Sequence, residues 1–324
     1  MHPYNFLTAL SLGTAVLAAP TELVTRTART SAPSGCLTVG SNGKYSTIGD
    51  ALTALGSSSA AACIYVASGT YEEQITINYA GALTLYGETA DTETYKENTV
   101  TITHTISSPQ AGSLDKSATV NVVTDGFKMH NINVVNGFGK GAQAVALVAN
   151  ADKLSFYACQ FSGYQDTLYA KAGKQYYANS KVEGKSCAVD YIFGAASAWF
   201  NNCDIVSNGP GAITASSRQT TTDTTWYAFD DCTVKGASSA IKDGTIFLGR
   251  PWRVLARVIF QNSSLRSVVN PKGWTTMADG ATPLYYEYNN SGAGSDTSER
   301  QFETPISAAV TKETVLGSDY ATWI

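Results

Sequence analysis

A loose repeat in the second half of the chain limits its fold more than any other feature. Five segments share an aromatic residue that is followed three residues later by Cys or Ser. The segments begin at Phe156, Tyr177, Phe200, Phe229 and Phe260, so the aromatics recur after 21, 23, 29 and 31 residues. A unit that recurs at such intervals is typical of a solenoid, in which each unit stacks on the one before it.

The local sequence pattern favours strands as the building blocks of that solenoid. Short apolar runs alternate with Gly, Asn, Asp and Ser, for example at Ile64–Val66, Ile75–Ile77, Leu83–Tyr86, Val100–Ile102 and Val120–Val122. One helix is predicted over Thr47–Leu55, where Thr47 and Asp50 form a capping pattern. We therefore predict an all-β parallel β-helix with a short N-terminal helix.

The N-terminus has the pattern of a secretory signal. Phe6–Ala18 is apolar, ends in small residues and is shorter than a membrane-spanning helix. We predict a signal peptide over residues 1–18, a linker or short pro-segment over 19–35, and a single domain over 36–324. The mature protein is expected to be a secreted, extracellular monomer without a membrane attachment.

Secretion favours disulfide bonds among the six cysteines. They are Cys36, Cys63, Cys159, Cys187, Cys203 and Cys232. Cys203 and Cys232 occupy one position of the repeat on consecutive units, so we predict that they are bonded. Cys36 with Cys63 and Cys159 with Cys187 are the remaining nearest pairs, but their pairing stays open among 15 connectivities.

Charge and composition exclude several classes of function. The net charge of −4 argues against a nucleic-acid partner, which would require a basic face. The chain has 3 histidines and no evident metal-binding cluster, so neither a metal nor another cofactor is expected. Asn262 and Asn289 lie in Asn-x-Ser motifs and are candidate glycosylation sites.

Two aspartates in apolar surroundings are the leading catalytic candidates. Asp166 lies in Gly163–Tyr169 and Asp190 in Asp190–Gly194, 24 residues apart, which is close to the shorter intervals of the repeat. We therefore expect them to face each other on adjacent coils. If two carboxyl groups are close together, ionisation of both is unfavourable, because their negative charges repel each other. One of them should therefore retain a proton beside its charged neighbour.

Three further polar residues suit the same site. Arg250, between Gly249 and Pro251, can hold one carboxylate with two hydrogen bonds, and Trp252 offers a flat apolar surface for a sugar ring. Gln143 and Gln165 can donate amide N–H groups to a developing oxyanion. Such donors favour acyl transfer over glycosidic cleavage.

Five segments together resemble the pectin methylesterase family, in the family's order. They are Gly69–Glu73, Gln143–Leu147, Gly163–Tyr169, Asp190–Gly194 and Leu248–Trp252. The resemblance runs from about Leu37 to the end of the chain. It implies a right-handed parallel β-helix that hydrolyses the methyl esters of galacturonate residues in methyl-esterified homogalacturonan (pectin).

The resemblance also implies roles for individual residues. Asp190 would be the nucleophile, Asp166 the acid and then the base, Gln143 and Gln165 the oxyanion donors, and Arg250 the group that orients Asp190. The candidates for the sugar-binding cleft are Trp252, Phe193, Tyr169, Trp274 and Met277. The segment Ile213–Arg218 departs from the family pattern at Ser216-Ser217, which leaves the role of Arg218 open.

Four alternative functions compete with this prediction. A polygalacturonase or a pectate lyase would also be a β-helix with acidic residues. A serine hydrolase is disfavoured because the chain has no Gly-x-Ser-x-Gly segment. A structural, non-enzymatic solenoid would explain the strands, but not the aspartates, glutamines and arginine together.

Overall fold

The computed structural model describes Met1, residues 27–184 and residues 189–324. Residues 2–18 of the predicted signal peptide, and Cys187, lie outside the described residues. Within the described part, strands dominate. The four short α-helices are α1 (Ile48–Leu55), α2 (Ser108–Ala111), α3 (Leu114–Ser117) and α4 (Lys312–Leu316), and single 3₁₀ turns cover Tyr95–Glu97 and Tyr320–Thr322.

The strands are short and follow one another closely along the chain. They are β1 (Leu37–Val39), β2 (Ala62–Val66), β3 (Gly69–Glu72), β4 (Ile75–Ile77), β5 (Leu83–Gly87), β6 (Val100–His104), β7 (Val120–Val122), β8 (Lys128–His130), β9 (Asn133–Asn136), β10 (Leu147–Asn150), β11 (Leu154–Tyr157), β12 (Gln160–Gly163), β13 (Leu168–Ala172), β14 (Lys174–Ala178), β15 (Lys181–Gly184), β16 (Ile192–Gly194), β17 (Ser197–Asn201), β18 (Asp204–Ser207), β19 (Gly211–Ser216), β20 (Tyr227–Asp230), β21 (Thr233–Gly236), β22 (Ile246–Gly249), β23 (Arg257–Gln261), β24 (Ser264–Leu265) and β25 (Leu284–Tyr288). The five strands named above from the sequence, and the helix at Thr47–Leu55, are confirmed.

These strands form three parallel sheets, as a parallel β-helix requires. The first sheet has the order β1-β2-β5-β8-β11-β14-β17-β20-β23-β25, the second β3-β6-β9-β12-β15-β18-β21-β24, and the third β4-β7-β10-β13-β16-β19-β22. Each coil of the chain adds one strand to each sheet in turn. Residues one coil apart therefore become neighbours at the inter-strand spacing of about 4.8 Å.

The aromatic repeat forms a continuous stack in the core. Phe156, Tyr177, Phe200, Phe229 and Phe260 pair in register along the first sheet. Their ring centroids lie 4.3 to 4.9 Å apart, and the rings are tilted by 10° or less. The repeat in the sequence is thus a repeat in space, with one aromatic for each coil.

A single residue with left-handed backbone follows each of these strands and turns the chain into the second sheet. Asn179, Asn202 and Asn262 have φ between 50° and 51°. Asparagine tolerates this conformation better than most residues with a side chain. The next residue, Cys or Ser, is buried beneath the turn.

The predicted disulfide between Cys203 and Cys232 is wrong, since both are free, buried thiols. The strands on either side of the two cysteines are in register, as expected. Equivalent positions on successive coils direct their side chains the same way, however, and a disulfide needs them to turn toward each other. The Cys203 thiol instead donates to the carbonyl of Asn201 (3.4 Å), and that of Cys232 to the carbonyl of Asp230 (3.5 Å). Cys159 is also a free, buried thiol.

The disulfide that does form joins Cys36 to Cys63, one of the pairs left open above. It closes a separation of 27 residues around α1. Restricting a loop of this size in the unfolded chain stabilises the fold by about 3 kcal/mol. We expect the double variant Cys36→Ser/Cys63→Ser to have a free energy of unfolding about 3 kcal/mol lower than that of the wild type in urea denaturation, and to keep its activity. Loss of activity in the folded variant would contradict a purely structural bond.

The two candidate glycosylation sites lie on the surface of the last coils. Asn262 and Asn289 are exposed, and the Asn289 amide donates to the Asn262 side chain (2.9 Å).

Part of the segment predicted to be a linker contacts the domain. Arg29 and Thr89 are joined by two backbone hydrogen bonds of 2.9 and 3.1 Å. No helix in residues 27–184 or 189–324 is long and apolar enough to cross a membrane.

Candidate active site

Asp166 and Asp190 lie at equivalent positions on adjacent coils, as their spacing predicted. Leu168 pairs with Ile192 where β13 meets β16, and each aspartate lies two residues before its strand. Both have left-handed backbone, with φ of 60° and 58°. The turns that follow the strands of the first sheet have the same conformation, which aspartate tolerates better than most residues with a side chain. The 24-residue interval in the sequence is therefore one coil of the β-helix.

Arg250 holds Asp190 through two parallel hydrogen bonds. Its Nε donates to Oδ1 (2.8 Å) and its Nη2 to Oδ2 (2.6 Å). Arg250 follows β22 directly, and its backbone N–H donates to the Thr214 carbonyl of β19 (2.9 Å). The planar guanidinium fits a carboxylate in this geometry, so it fixes the orientation of Asp190 as well as its charge.

The two carboxyl groups differ in their electrostatic environment. Burial, and then the charge of Asp190, raise the pKa of Asp166 to about 8, against weaker opposing effects of Arg250 and of a hydrogen bond with Gln165. Burial also raises the pKa of Asp190, but the hydrogen bonds and the charge of Arg250 oppose that rise. Asp166 is therefore protonated at neutral pH, and Asp190 is the carboxyl group that carries the negative charge.

Both aspartates open into a pocket of about 190 Å³ on the outer face of the third sheet. Gln143, Gln165 and Arg250 line it with them. The pocket is smaller than the roughly 300–1,000 Å³ of sites that enclose a whole ligand, so it is suited to one substituent of a larger molecule. The structure thus brings together all five predicted polar residues.

An apolar wall borders this pocket. Phe193 stacks on Tyr169 with a centroid distance of 4.3 Å and lies 5.9 Å from Trp252. Phe193, Trp252 and the exposed Met277 line the pocket, whereas Tyr169 lies beside Phe193 on the adjacent strand, outside the pocket lining. Leu114 of α3 and Ala215 of β19 complete the lining. Neither residue is predicted from the sequence, because leucine and alanine side chains carry no chemical signature.

Trp274 does not belong to this cleft, and its prediction as a sugar-binding residue is wrong. Its side chain is fully buried, stacks on Tyr285 at 4.1 Å, and donates from Nε1 to Glu287 (3.1 Å).

The role of Arg218, left open by the sequence, is structural. It is buried and donates to the backbone carbonyls of Thr221, Asp223 and Leu255.

Comparison with known proteins gives concordant results at the level of sequence and of structure. The sequence model of the family described as Pectinesterase matches residues 36–316. The chain is 71% identical over 326 residues to an Aspergillus niger protein named "Probable pectinesterase A", covering 100% of this chain and 99% of that protein.

Solved structures extend the comparison to the fold. The crystal structure of the pectin methylesterase from Aspergillus niger in deglycosylated form has a TM-score of 0.90 and 74% identity, covering 92% of this chain and 98% of that one. The pectin methylesterase from carrot has a TM-score of 0.81 and 26% identity, covering 91% and 96%. The right-handed parallel β-helix is thus shared with both.

Proposed function

Since this chain belongs to the pectinesterase family and is a carboxylic ester hydrolase of pectin methyl esters, we propose that it cleaves them with Asp190 as the nucleophile, through an acyl-enzyme intermediate. The observation that carries this proposal is the pairing of unlike carboxyl groups in one pocket. Asp190 is held as a carboxylate by Arg250, and the raised pKa of Asp166 keeps its proton available. A nucleophile beside a proton donor is sufficient for the covalent route of ester cleavage.

Acylation uses both groups at once. A carboxylate oxygen of Asp190 attacks the carbonyl carbon of the methyl ester, and the carbonyl electrons move to its oxygen. When the tetrahedral intermediate collapses, the bond to the methoxy group breaks and Asp166 gives its proton to the departing oxygen. Methanol leaves, and the galacturonyl group remains on Asp190 as a mixed anhydride.

Deacylation reverses the role of Asp166. Now a carboxylate, it takes a proton from water, whose oxygen attacks the galacturonyl carbonyl carbon. The anhydride bond breaks, Asp190 leaves as a carboxylate that Arg250 stabilises, and the product is a galacturonic acid residue. Asp166 ends protonated, as it began, so the net reaction is ester plus water to acid plus methanol.

Gln143 and Gln165 are proposed to donate side-chain N–H groups to the oxyanion of both tetrahedral intermediates. Their backbones are fixed, because the Gln143 carbonyl accepts from Ser108 N (2.8 Å) and the Gln165 carbonyl from Ala144 N (3.1 Å). Rigid donors need little reorganisation when charge develops.

Removing one oxyanion donor gives a specific expected result. We expect Gln143→Ala to lower kcat by about 10² to 10³ and to change KM little, since the donor acts mainly in the transition state. The measurement is methanol release from methylated pectin. Gln160→Ala, on the outer face of the second sheet, is the matched control and should retain wild-type rates. A less than threefold effect of Gln143→Ala would remove this residue from the oxyanion site.

The experiment that tests the proposed function measures products. We expect methanol to be released from methylated pectin without new reducing ends or unsaturated sugars, which a polygalacturonase or a pectate lyase would produce. Hydroxylamine should divert part of the acyl group to a hydroxamate, because it competes with water for the mixed anhydride. If hydroxylamine captures nothing beyond the uncatalysed background, the acyl-enzyme is the part of the proposal that fails.

The wider setting of the enzyme is proposed from the sequence. The wall of Phe193, Tyr169, Trp252 and Met277 would bind homogalacturonan through the C–H faces of its sugar rings. We also propose that the protein is secreted, that residues 36–324 form one catalytic domain, and that it acts as a monomer. The relative from Aspergillus niger was solved in deglycosylated form, which supports testing Asn262 and Asn289 for glycans.

A further inference from the structure

A buried ion pair lies behind the active site and has no part in the reaction proposed above. Arg300 donates to Glu287 from Nε (2.7 Å) and Nη2 (3.0 Å), and the two side chains are only 1% and 2% exposed. Glu287 also accepts the Nε1–H of Trp274 (3.1 Å). Burying such a pair costs more than burying apolar residues of similar size unless the groups are fully satisfied. Its presence therefore calls for a specific explanation.

The remaining hydrogen bonds of Arg300 show what the pair holds. Its guanidinium donates to the carbonyls of Asn270 (3.2 Å), Pro271 (2.9 Å) and Gly294 (2.7 Å). Gly273 has a left-handed backbone (φ 66°), and a Cβ there would lie 2.3 Å from Arg300 Cδ. Arg300 thus packs directly against the turn at residues 270–273 and fixes its path.

That turn covers the edge of the third sheet at β22, the strand that Arg250 directly follows. Leu248 N donates to the Gly273 carbonyl (2.7 Å), and Thr275 N donates to the Gly249 carbonyl (3.0 Å). A Cβ on Gly249 would lie 2.1 Å from Thr214 Oγ1 and 3.2 Å from the Trp274 ring. Gly249, the residue before Arg250, is therefore enclosed between β19 on one side and the Trp274 indole on the other.

We propose that Trp274, Glu287 and Arg300 form a positioning unit that holds Arg250 in its two-bond contact with Asp190. None of the three lines the pocket. Their effect would pass through the backbone of Gly249, which Trp274 contacts directly. The proposal rests on the proposed role of Asp190 as nucleophile, and it assigns Trp274 a function different from the sugar contact predicted from the sequence.

The pH dependence of the reaction reports on this contact. The groups that act electrostatically on Asp190 are Arg250 after β22, Asp166 one coil away, and Tyr285 of β25. Of these, Arg250 lowers the pKa of Asp190. A displaced guanidinium would let that pKa rise, so the acidic limb of kcat/KM would move to higher pH.

The test compares two variants with wild type. Trp274→Phe keeps an aromatic side chain but removes the N–H donor and part of the indole, and Glu287→Gln removes the charge that holds Arg300. We expect kcat to fall about tenfold in each, KM to stay within twofold, and the acidic limb of kcat/KM to move up by about half a pH unit. Tyr95→Phe is the control, since it removes a 2.6 Å hydrogen bond to Asp204 on the second sheet, away from the pocket. It should alter the melting temperature at most.

The outcomes separate a positioning role from a structural one. If both variants melt at lower temperature but keep the wild-type kcat and acidic limb, the positioning proposal is overturned. If Glu287→Gln fails to fold, Trp274→Phe decides the question, because it leaves the ion pair in place. Asp190→Asn is assayed in parallel. If this variant kept its activity, the proposed role of Asp190 as nucleophile would have failed, and not the positioning proposal.

Discussion

Asp190→Asn should lower methanol release by about four orders of magnitude or more while the protein stays folded. An amide cannot attack the ester carbonyl, and losses of this size are usual when an enzyme loses its nucleophile. The side chain keeps its shape and one oxygen, so Arg250 can still donate a hydrogen bond to it. The measurement is kcat on methylated pectin, together with near-ultraviolet circular dichroism to verify the fold.

A matched substitution distinguishes the loss of a nucleophile from the loss of an ion pair. Asp204 accepts hydrogen bonds of 2.6 Å from both Lys235 and Tyr95 on the outer face of the second sheet. Asp204→Asn makes the same chemical change and should retain full activity. If Asp190→Asn released methanol at more than a hundredth of the wild-type rate, Asp190 could not be the nucleophile, and an attacking water would have to replace it.

The sequence predicts the stacking of this molecule well, because stacking depends on distances along the chain. The interval from Phe156 to Tyr177 is one coil, and so is the interval from Asp166 to Asp190. In a solenoid, sequence spacing is converted directly into spatial contact. The register of the core aromatics and of the two aspartates could therefore be predicted without coordinates.

The direction in which a side chain points was harder to predict. Cys203 and Cys232 have the expected register, but their side chains run in parallel and do not bond. The resemblance to the family implies that Trp274 belongs to the sugar-binding cleft, yet its indole is buried and stacks on Tyr285. The first outcome depends on the direction of side chains at a turn of the repeat, and the second on the last coil, where no repeat constrains the path.

Asp166→Asn should impair both chemical steps, and the two losses can be observed separately. Methanol is a poor leaving group and needs a proton, whereas p-nitrophenolate does not. On a p-nitrophenyl ester of galacturonate, we expect the variant to release about one equivalent of nitrophenol per enzyme and then stall, because deacylation has lost its base. Steady turnover at the wild-type rate would contradict the role of Asp166 in deacylation.

The pH profile provides a second test of Asp166. Its pKa of about 8 in the folded protein means that the acid is present below this pH and absent above it. Wild-type kcat/KM on methylated pectin should therefore decline as pH rises through about 8. In Asp166→Asn, the nitrophenol burst should show no such decline. An unchanged alkaline limb in the variant would assign that limb to another group.

The same shift predicts that Asp166→Asn is more stable than the wild type at neutral pH. In the unfolded chain Asp166 ionises near its ordinary pKa of about 4, whereas in the folded protein it retains its proton to about 8. Between these values ionisation stabilises the unfolded state and not the folded state, so wild-type stability falls as pH rises from about 4 to 8.

Asparagine at position 166 cannot ionise, so the variant does not lose stability over this pH range. The free energy of unfolding of the variant should therefore exceed that of the wild type by a few kcal/mol at pH 7 and match it near pH 4, as urea denaturation at the two pH values would measure. A catalytic acid that lowers the stability of its own fold is the expected consequence of burying a carboxyl group beside a second one, and equal stability of the two proteins at pH 7 would show that the raised pKa is absent.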